Sequence, residues 1–214
     1  MKQYEHGKHG ADVMRVLDLC TEFGSEVQAF KDRGHEVVML GLDGDVDIRC
    51  DVRQYYPHID DKYDFIICHP PCTEFSLAML NPIPCKQRKP DLSIVNACLR
   101  IVNTLKPKYW LLENPRACLK YFIGKPSYTI HYSDFGYPSM KPTDLWGNIP
   151  MFNSFCPNDN PKPMKYAISR DPKKRALLPY GLSLAICKAI EDDMGLMAAC
   201  RSRHDGEGQE SRIR

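Results

Sequence analysis

The amino-acid sequence predicts a single α/β domain whose sheet is mostly parallel and is covered by helices on both faces. Apolar runs alternate with stretches of helical periodicity, and this alternation is typical of βαβ units. Because strands of a parallel sheet are buried on both faces, short continuous apolar runs fit its interior. The four clearest strands are predicted at Met14–Cys20, Glu36–Leu42, Phe65–Cys68 and Tyr109–Leu112.

The predicted helices and the later strands complete this pattern. A helix-like stretch at Ser25–Arg33 joins the first two strands into a βαβ unit. An amphipathic helix is predicted over Asp91–Leu105, where apolar residues recur on one face. Weaker patterns predict strands over Tyr128–Tyr132 and Asp144–Trp146 and a helix over Leu182–Met194. Residues 201–214 are polar and lack periodicity, which predicts a disordered tail after one domain over residues 1–200.

The composition fits a soluble globular protein. The 214 residues are 43% hydrophobic and 26% charged, and the formal net charge of +2 neither requires nor excludes a polyanionic partner. The ten cysteines form no Cys-x-x-C pair and no zinc-type spacing, so we predict no metal site and several small buried thiols. Without a signal-like N-terminus or a membrane-length apolar run, the sequence predicts a protein of the reducing cytoplasm with no membrane contact.

Polar residues follow the first two predicted strands, at the edge where open parallel sheets bind ligands. After the first strand, Gly24 and Ser25 form a turn that lets backbone amides approach a ligand, and the acids Asp18 and Glu22 suit a cationic amino group. A purely structural turn is the alternative. After the second strand, Asp43 can accept both hydroxyls of a ribose, and Asp51 can accept from an adenine amino group. Helix capping is the alternative for these two aspartates.

A cysteine and a carboxylate follow the next two predicted strands. Pro70 and Pro71 hold the backbone extended before Cys72, which places the thiol at the ligand edge instead of burying it. A thiolate is a nucleophile for covalent catalysis. Glu113 and Asn114 emerge from an apolar strand on the neighbouring edge, and a carboxyl group shielded from water keeps its proton, as a general acid must. A simple turn cap is the alternative for Glu113.

Together these residues resemble the DNA cytosine-5 methyltransferase family in its compact phage-type form, from about Val16 to Ile190. The most specific feature is Pro-Pro-Cys followed about forty residues later by a strand and Glu-Asn. The resemblance implies a Rossmann-like fold that binds S-adenosylmethionine. It also implies methylation of carbon 5 of cytosine through a covalent Cys72 adduct, with Glu113 donating to ring nitrogen 3 and no metal.

The resemblance further assigns roles to individual residues. Asn114 belongs to the glutamate motif, and Lys141 lies in the segment Ser133–Thr143, whose family counterparts approach the target base. Ser183 lies in a final motif, Arg175–Ile190, that closes over the cofactor's methionine end. The implied cofactor contacts are Asp18, Cys20, Thr21, Glu22, Phe23, Gly24, Ser25, Asp43, Asp51, Pro70 and Ser183.

The chain departs from the family at several positions, among them Thr73 after the cysteine and Pro115 after Glu-Asn. The family's cofactor loop has an aromatic residue and three glycines, and Glu22 here adds bulk and charge beside the cofactor. The family's glutamine and two arginines that approach the base are replaced by Ser139, Lys141 and Thr143. Only one positive charge therefore remains near the base, while the nucleophile and the acid are kept.

The region that reads a DNA sequence in this family is reduced here to about residues 146–175. One interpretation is an enzyme that acts on DNA with little sequence preference and binds phosphates through the basic segment Lys162–Arg175. A second is methylation of a free cytidine nucleotide, whose phosphate the same cations bind. A third is an inactive cofactor-binding or nucleic-acid-binding module that keeps the fold. The sequence favours the first.

Overall fold

One mixed seven-stranded sheet forms the centre of the computed structural model, which describes residues 13–21, 23–76, 84–153 and 177–207. The strands are β1 (Arg15–Leu19), β2 (Glu36–Gly41), β3 (Ile48–Arg49), β4 (Phe65–Cys68), β5 (Tyr109–Pro115), β6 (Tyr128–His131) and β7 (Pro142–Gly147). The helices are α1 (Gln28–Asp32), α2 (Ser93–Leu105), α3 (Lys120–Ile123) and α4 (Tyr180–Glu207).

The strand order is β3-β2-β1-β4-β5-β7-β6, and the first five strands in this order are parallel. Strand β7 lies antiparallel between β5 and β6. A connection as short as residues 132–141 between β6 and β7 permits antiparallel pairing, whereas a parallel pair needs a longer crossover. The α/β class and the mostly parallel sheet predicted from the sequence are confirmed.

Two apolar clusters cover the two faces of the sheet. One cluster lies under α1 and α4 and includes Phe65 and Ile67 of β4, and the other lies under α2 and includes Ile66 and Cys68. Since successive side chains of a strand point to opposite faces, Asp18 of β1 and Glu113 of β5 project toward the side of α1 and α4. The predicted coverage by helices on both faces is confirmed.

The elements differ from the sequence predictions mainly at their ends. Helix α1 is shorter than the predicted Ser25–Arg33 because the residues before it form a turn. Strand β5 extends past Leu112, since antiparallel pairing with β7 continues to Pro115. Helix α4 continues to Glu207, beyond the point where the sequence predicts that the tail begins, and residues 208–214 lie outside the described part.

Two cysteines depart from the expectation of free thiols. Cys85 and Cys118 form a disulfide with their Cα atoms 5.0 Å apart, a usual separation for such a bond. The pair gives no support to the reducing compartment predicted from the sequence. Cys68, Cys98 and Cys187 are buried, as predicted for small packing residues. None of the helices in the described ranges is long and apolar enough to cross a membrane.

Candidate active site

The turn after β1, the Pro-Pro-Cys loop and Glu113 lie at the carboxyl ends of β1, β4 and β5, which are neighbours in the sheet. The chain runs outward from β1 to β2 and β3 and then returns to β4 on the other side of β1, so the strand order reverses between β1 and β4. Open α/β sheets bind ligands in the crevice at such a reversal. The convergence of β4 and β5 residues that the sequence predicts therefore agrees with the observed topology.

Hydrogen bonds attach the Pro-Pro-Cys loop to the neighbouring strands. The amide of Asn114 donates to the carbonyl of Pro70 over 3.0 Å, and both residues are buried. The backbone N–H of His69 donates to the carbonyl of Leu19 at the end of β1. The carbonyl of Cys72 accepts from two backbone N–H groups that follow it, which closes a turn. The partly exposed thiol of Cys72 is thus held on an anchored loop and takes no part in a disulfide.

The Glu113 carboxylate lies among hydrogen-bond donors and cations. The Tyr132 hydroxyl donates to Glu113 Oε1 over 2.8 Å, and His69 Nδ1 lies 3.4 Å from Oε2. The ammonium of Lys141 lies 4.3 Å from the centre of the Tyr132 ring. Glu113 is 7% exposed, so these neighbours act on it with little screening by water.

The protonation state predicted for Glu113 is wrong for the protein without substrate. Burial raises the pKa of Glu113, but the hydrogen bond and charge of His69, followed by the charge of Lys141, bring the pKa below its ordinary value. Shielding from water was the only influence visible in the sequence. In the structure the neighbouring cations outweigh it, and Glu113 is a carboxylate.

His69 stands among three carboxylates, those of Asp18, Glu26 and Glu113. Its own burial lowers the pKa, but the charge of Glu26, the hydrogen bond to Glu113 and the charge of Asp18 together raise it to about 9. At neutral pH His69 therefore carries a proton. Sequence reasoning missed His69, Glu26 and Tyr132 as site residues; the one available signal was a histidine directly after a buried strand at the ligand edge.

Several buried polar atoms of this cluster have no hydrogen-bond partner among the described residues. They are both carboxylate oxygens of Asp18, Glu26 Oε2 and His69 Nε2. Burial, and next the charge of Glu26, raise the pKa of Asp18 to about 7. An unsatisfied buried carboxylate oxygen costs roughly 1–3 kcal/mol, so the cluster fits a ligand that brings a positive charge with hydrogen-bond donors.

The turn after β1 packs closely against β2. Gly24 has a positive φ of 64°, and a Cβ there would lie 2.8 Å from the sulfur of Met39. Its N–H donates to the hydroxyl of Thr21 over 3.0 Å. Phe23 is 49% exposed beside the turn, and Glu22 lies outside the described residues.

Three other predicted cofactor residues use their side chains within the protein. The Cys20 thiol lies 3.7 Å from that of Cys98 on α2. The Ser25 hydroxyl accepts from the N–H of Leu178. The buried Ser183 hydroxyl donates to the carbonyl of Glu26 over 2.7 Å and accepts from the N–H of α1 residue Ala29. These contacts attach the turn to α2, to the residues before α4 and to α4 itself, so the side chains support the loop's shape.

The two aspartates after β2 differ in surroundings. Asp43 is exposed in the turn that follows β2. Asp51 binds the guanidinium of Arg53, with 2.5 Å between Oδ2 and Nη2, and this hydrogen bond lowers the pKa of Asp51. An adenine amino group at Asp51 would therefore share a carboxylate that already has a cationic partner.

The segment implied to approach the base is partly described. Ser139 and Thr143 are buried, and Lys141 has a positive φ of 27° that turns the chain into β7. The contact of Lys141 with Tyr132 brings it beside Glu113. The basic segment Lys162–Arg175, which carries the predicted phosphate contacts, lies outside the described residues.

One group among the described residues has the spacing of a metal site, namely His35, Cys187 and Glu191, whose ligand atoms lie within 4.8 Å of one another. His35 Nδ1 accepts a hydrogen bond from the N–H of Met14, so the proton of the ring lies on Nε2, which donates to Glu191 over 2.9 Å. Glu191 also binds Arg33. With Nε2 protonated and the carboxylate paired with Arg33, this group is a hydrogen-bonded contact between α4 and the residue before β2.

A comparison with protein families gives a match over part of the chain. Residues 44–125 match the model of the C-5 cytosine-specific DNA methylases. The matched range contains the Pro-Pro-Cys loop and Glu113-Asn114, and it leaves the turn after β1 and Ser183 outside. A search of curated proteins finds no match to the chain.

Proposed function

We propose that the chain is a member of the C-5 cytosine-specific DNA methylase family, whose model matches residues 44–125, and that it transfers a methyl group from S-adenosylmethionine to carbon 5 of cytosine in DNA. Cys72 is the covalent nucleophile and Glu113 the acid in this proposal. The observation that supports it most directly is the 3.0 Å hydrogen bond from Asn114 to Pro70, because it ties the nucleophile's loop to the strand that carries the acid.

The covalent step explains why both residues are needed. Carbon 5 of a pyrimidine is a poor nucleophile until the Cys72 thiolate adds to carbon 6. As the carbon–sulfur bond forms, ring nitrogen 3 receives a proton from Glu113 and electron density moves to carbon 5. Bound S-adenosylmethionine supplies an electrophilic methyl group. Once carbon 5 carries its methyl group, a base removes the carbon 5 proton, nitrogen 3 returns its proton to Glu113, and cleavage of the carbon–sulfur bond restores the Cys72 thiolate.

His69 supplies the proton that Glu113 delivers in this proposal. Glu113 is a carboxylate beside a protonated imidazole, with 3.4 Å between Oε2 and Nδ1. The histidine can therefore pass its proton to the carboxylate as nitrogen 3 becomes basic during attack. Tyr132 fixes the other carboxylate oxygen, so the carboxyl group keeps one orientation throughout.

Replacing His69 by glutamine tests this role. We expect turnover to fall about tenfold or more, since general acid catalysis contributes roughly 10² to 10⁴. The parent should keep its activity up to about pH 9, where His69 loses its proton. The variant should lose activity at lower pH, because Glu113 alone must then hold the proton. The measurement is kcat/KM against pH, with the exposed His58→Gln as matched control. Identical pH profiles in His69→Gln and the parent would remove His69 from the proton path.

The cofactor proposal is supported by the unsatisfied atoms at the end of β1. S-adenosylmethionine carries a cationic amino group, which the buried carboxylates of Asp18 and Glu26 would hold. Backbone amides of the turn around Gly24 and the face of Pro70 would line its methionine part. Asp43 and Asp51 would bind the ribose and the adenine. The strand reversal between β1 and β4 supports a Rossmann-like fold, which binds nucleotide-like cofactors at this position.

Asp18→Asn is expected to weaken binding of the cofactor about tenfold or more, because a hydrogen bond to a charged group is worth roughly 1.5–3 kcal/mol. Parent affinity should also weaken as the pH falls below about 7, where Asp18 becomes protonated. The variant should show little of this pH dependence. Calorimetric titration with S-adenosylmethionine between pH 6 and 8 measures both effects, with the exposed Asp192→Asn as control. Equal affinities in Asp18→Asn and the parent would place the amino group elsewhere.

The proposed reaction itself is tested with radiolabelled cofactor. The protein is incubated separately with duplex DNA, single-stranded DNA and cytidine nucleotides. Radioactive label that is incorporated into DNA and recovered in 5-methylcytosine supports the proposal. Label in the nucleotides alone would favour a nucleotide-modifying enzyme, and cofactor binding without label in any substrate would favour an inactive binding module.

A further inference from the structure

Two segments beside the catalytic loop carry only positive charge. Residues 84–90 contain three cations, residues 115–127 contain three more, and neither segment contains an aspartate or a glutamate. We call this set the basic surface. Its members are Lys86, Arg88, Lys89, Arg116, Lys120 and Lys125, together with Tyr121.

Covalent and hydrogen bonds bring the two segments together and attach them to the catalytic loop. The disulfide between Cys85 and Cys118 joins the segments directly. The N–H of Cys118 donates to the carbonyl of Phe75, and Arg88 donates to the carbonyl of Ser76 over 2.7 Å. Since Phe75 and Ser76 lie in the turn that Cys72 begins, the basic surface borders the nucleophile's loop.

The charges of this surface other than that of Arg88 are available to a partner. In the described part of the chain, Asp and Glu side chains form ion pairs with other cations but not with Lys86, Lys89, Arg116, Lys120 or Lys125. Tyr121 is 49% exposed, with the ammonium groups of Lys86 and Lys120 at 5.9 and 5.7 Å from its ring centre. A half-exposed aromatic ring between two lysines matches the surfaces that bind single nucleic-acid strands, where bases stack and phosphates pair with cations.

We propose that the basic surface binds the sugar-phosphate backbone of the DNA strand beside the target cytosine, with Tyr121 as a stacking platform for an unpaired base. This proposal rests on the proposed function and specifies where the DNA strand binds. A target base must leave the helix to reach Cys72, and something must hold the strand on either side of it. In this proposal the basic surface holds the strand next to the nucleophile. The resemblance implies that the region that reads a DNA sequence is short in this chain.

The test compares binding of a fluorescein-labelled single-stranded 20-mer by the parent, Lys86→Gln/Lys120→Gln and Tyr121→Ala. Fluorescence anisotropy is measured at several KCl concentrations, so the result does not depend on methyl transfer. The matched control is Lys62→Gln/Lys106→Gln, because both of these exposed lysines precede β4 and β5 at the opposite edge of the sheet. Residue 106 has a left-handed backbone conformation. This conformation costs glutamine about as much free energy as lysine, so the control substitution leaves that cost unchanged.

We expect the double variant to bind the strand at least tenfold more weakly at low salt. Its slope of log K against log[KCl] should fall in magnitude by about 1.4, since each lost phosphate contact contributes roughly 0.7 for single strands. Tyr121→Ala should weaken binding without changing the slope, and the control should match the parent. A double variant that retains the parent's affinity and salt slope would overturn the proposal, even if methyl transfer to DNA is observed. Conversely, the expected loss of binding would support DNA binding by the basic surface even if the chain transfers no methyl group.

Discussion

Cys72→Ser is expected to abolish methyl transfer, with a loss of at least about 10⁴-fold, because a serine hydroxyl is a much weaker nucleophile at neutral pH than a cysteine thiolate. Serine has nearly the shape of cysteine, and the loop is held by backbone contacts and by the Asn114–Pro70 bond, which the substitution leaves in place. S-adenosylmethionine should therefore bind within a few-fold of the parent affinity. Single-turnover transfer of labelled methyl and calorimetric titration measure the two quantities.

Cys50→Ser provides the matched control for this substitution. Cys50 is also a partly buried cysteine outside a disulfide, and its thiol donates to the carbonyl of the next residue. Its serine variant should remain active within a few-fold. Equal methyl transfer by Cys72→Ser and the parent would show that the reaction does not use this thiol.

Glu113→Gln is expected to lower kcat by roughly 10² to 10⁴ while KM changes little, because the proton is used in the transition state rather than in binding. Glutamine keeps the shape and can still accept from the Tyr132 hydroxyl. It cannot receive a proton from His69 and pass it on to the base. The conservative variant thus separates proton transfer from packing.

Steady-state kinetics on a cytosine-containing DNA measures the effects of the substitution on kcat and on KM separately. Glu36→Gln is a suitable control, since this glutamate pairs with Arg15 at the opposite edge of the sheet. A rise in KM with unchanged kcat would assign Glu113 to substrate binding alone and would contradict its role as an acid.

The approach of the Cys72 loop to the Glu113 strand could be predicted from the sequence because it follows from local patterns. The apolar runs that became β4 and β5 mark two strands, and the carboxyl ends of parallel neighbours meet at one edge of a sheet. The residues immediately after or at the end of those runs therefore had to lie close together. The Asn114–Pro70 bond agrees with that expectation.

The charge cluster could not be predicted, because it depends on contacts between distant parts of the chain. Glu26 and Asp18 come from the turn and strand at β1, His69 follows β4, and Glu113 lies 44 positions beyond His69. Only the folded arrangement shows that a cation stands beside Glu113 and lowers its pKa, which reverses the expectation from burial alone. Tyr132 was missed because the sequence predicts it as the last residue of a strand, whereas the strand ends at His131 and Tyr132 begins a helical turn.

The disulfide was missed for a related reason. Spacing in the sequence does not determine pairing, and Cys85 and Cys118 are 33 residues apart. Their proximity follows from the packing of the segment after the catalytic loop against the segment after β5. This same packing creates the basic surface, so neither feature was apparent from the sequence alone.

The central claim, covalent attack by Cys72 on cytosine, is tested most directly with an oligonucleotide that carries 5-fluorocytosine. Fluorine cannot leave carbon 5 as the proton does, so the adduct formed in the presence of S-adenosylmethionine should persist. Mass spectrometry of the digested complex is expected to show one modified peptide, with the methylated fluoropyrimidine on Cys72. No adduct under conditions in which ordinary DNA is methylated, or an adduct on another cysteine, would contradict the account.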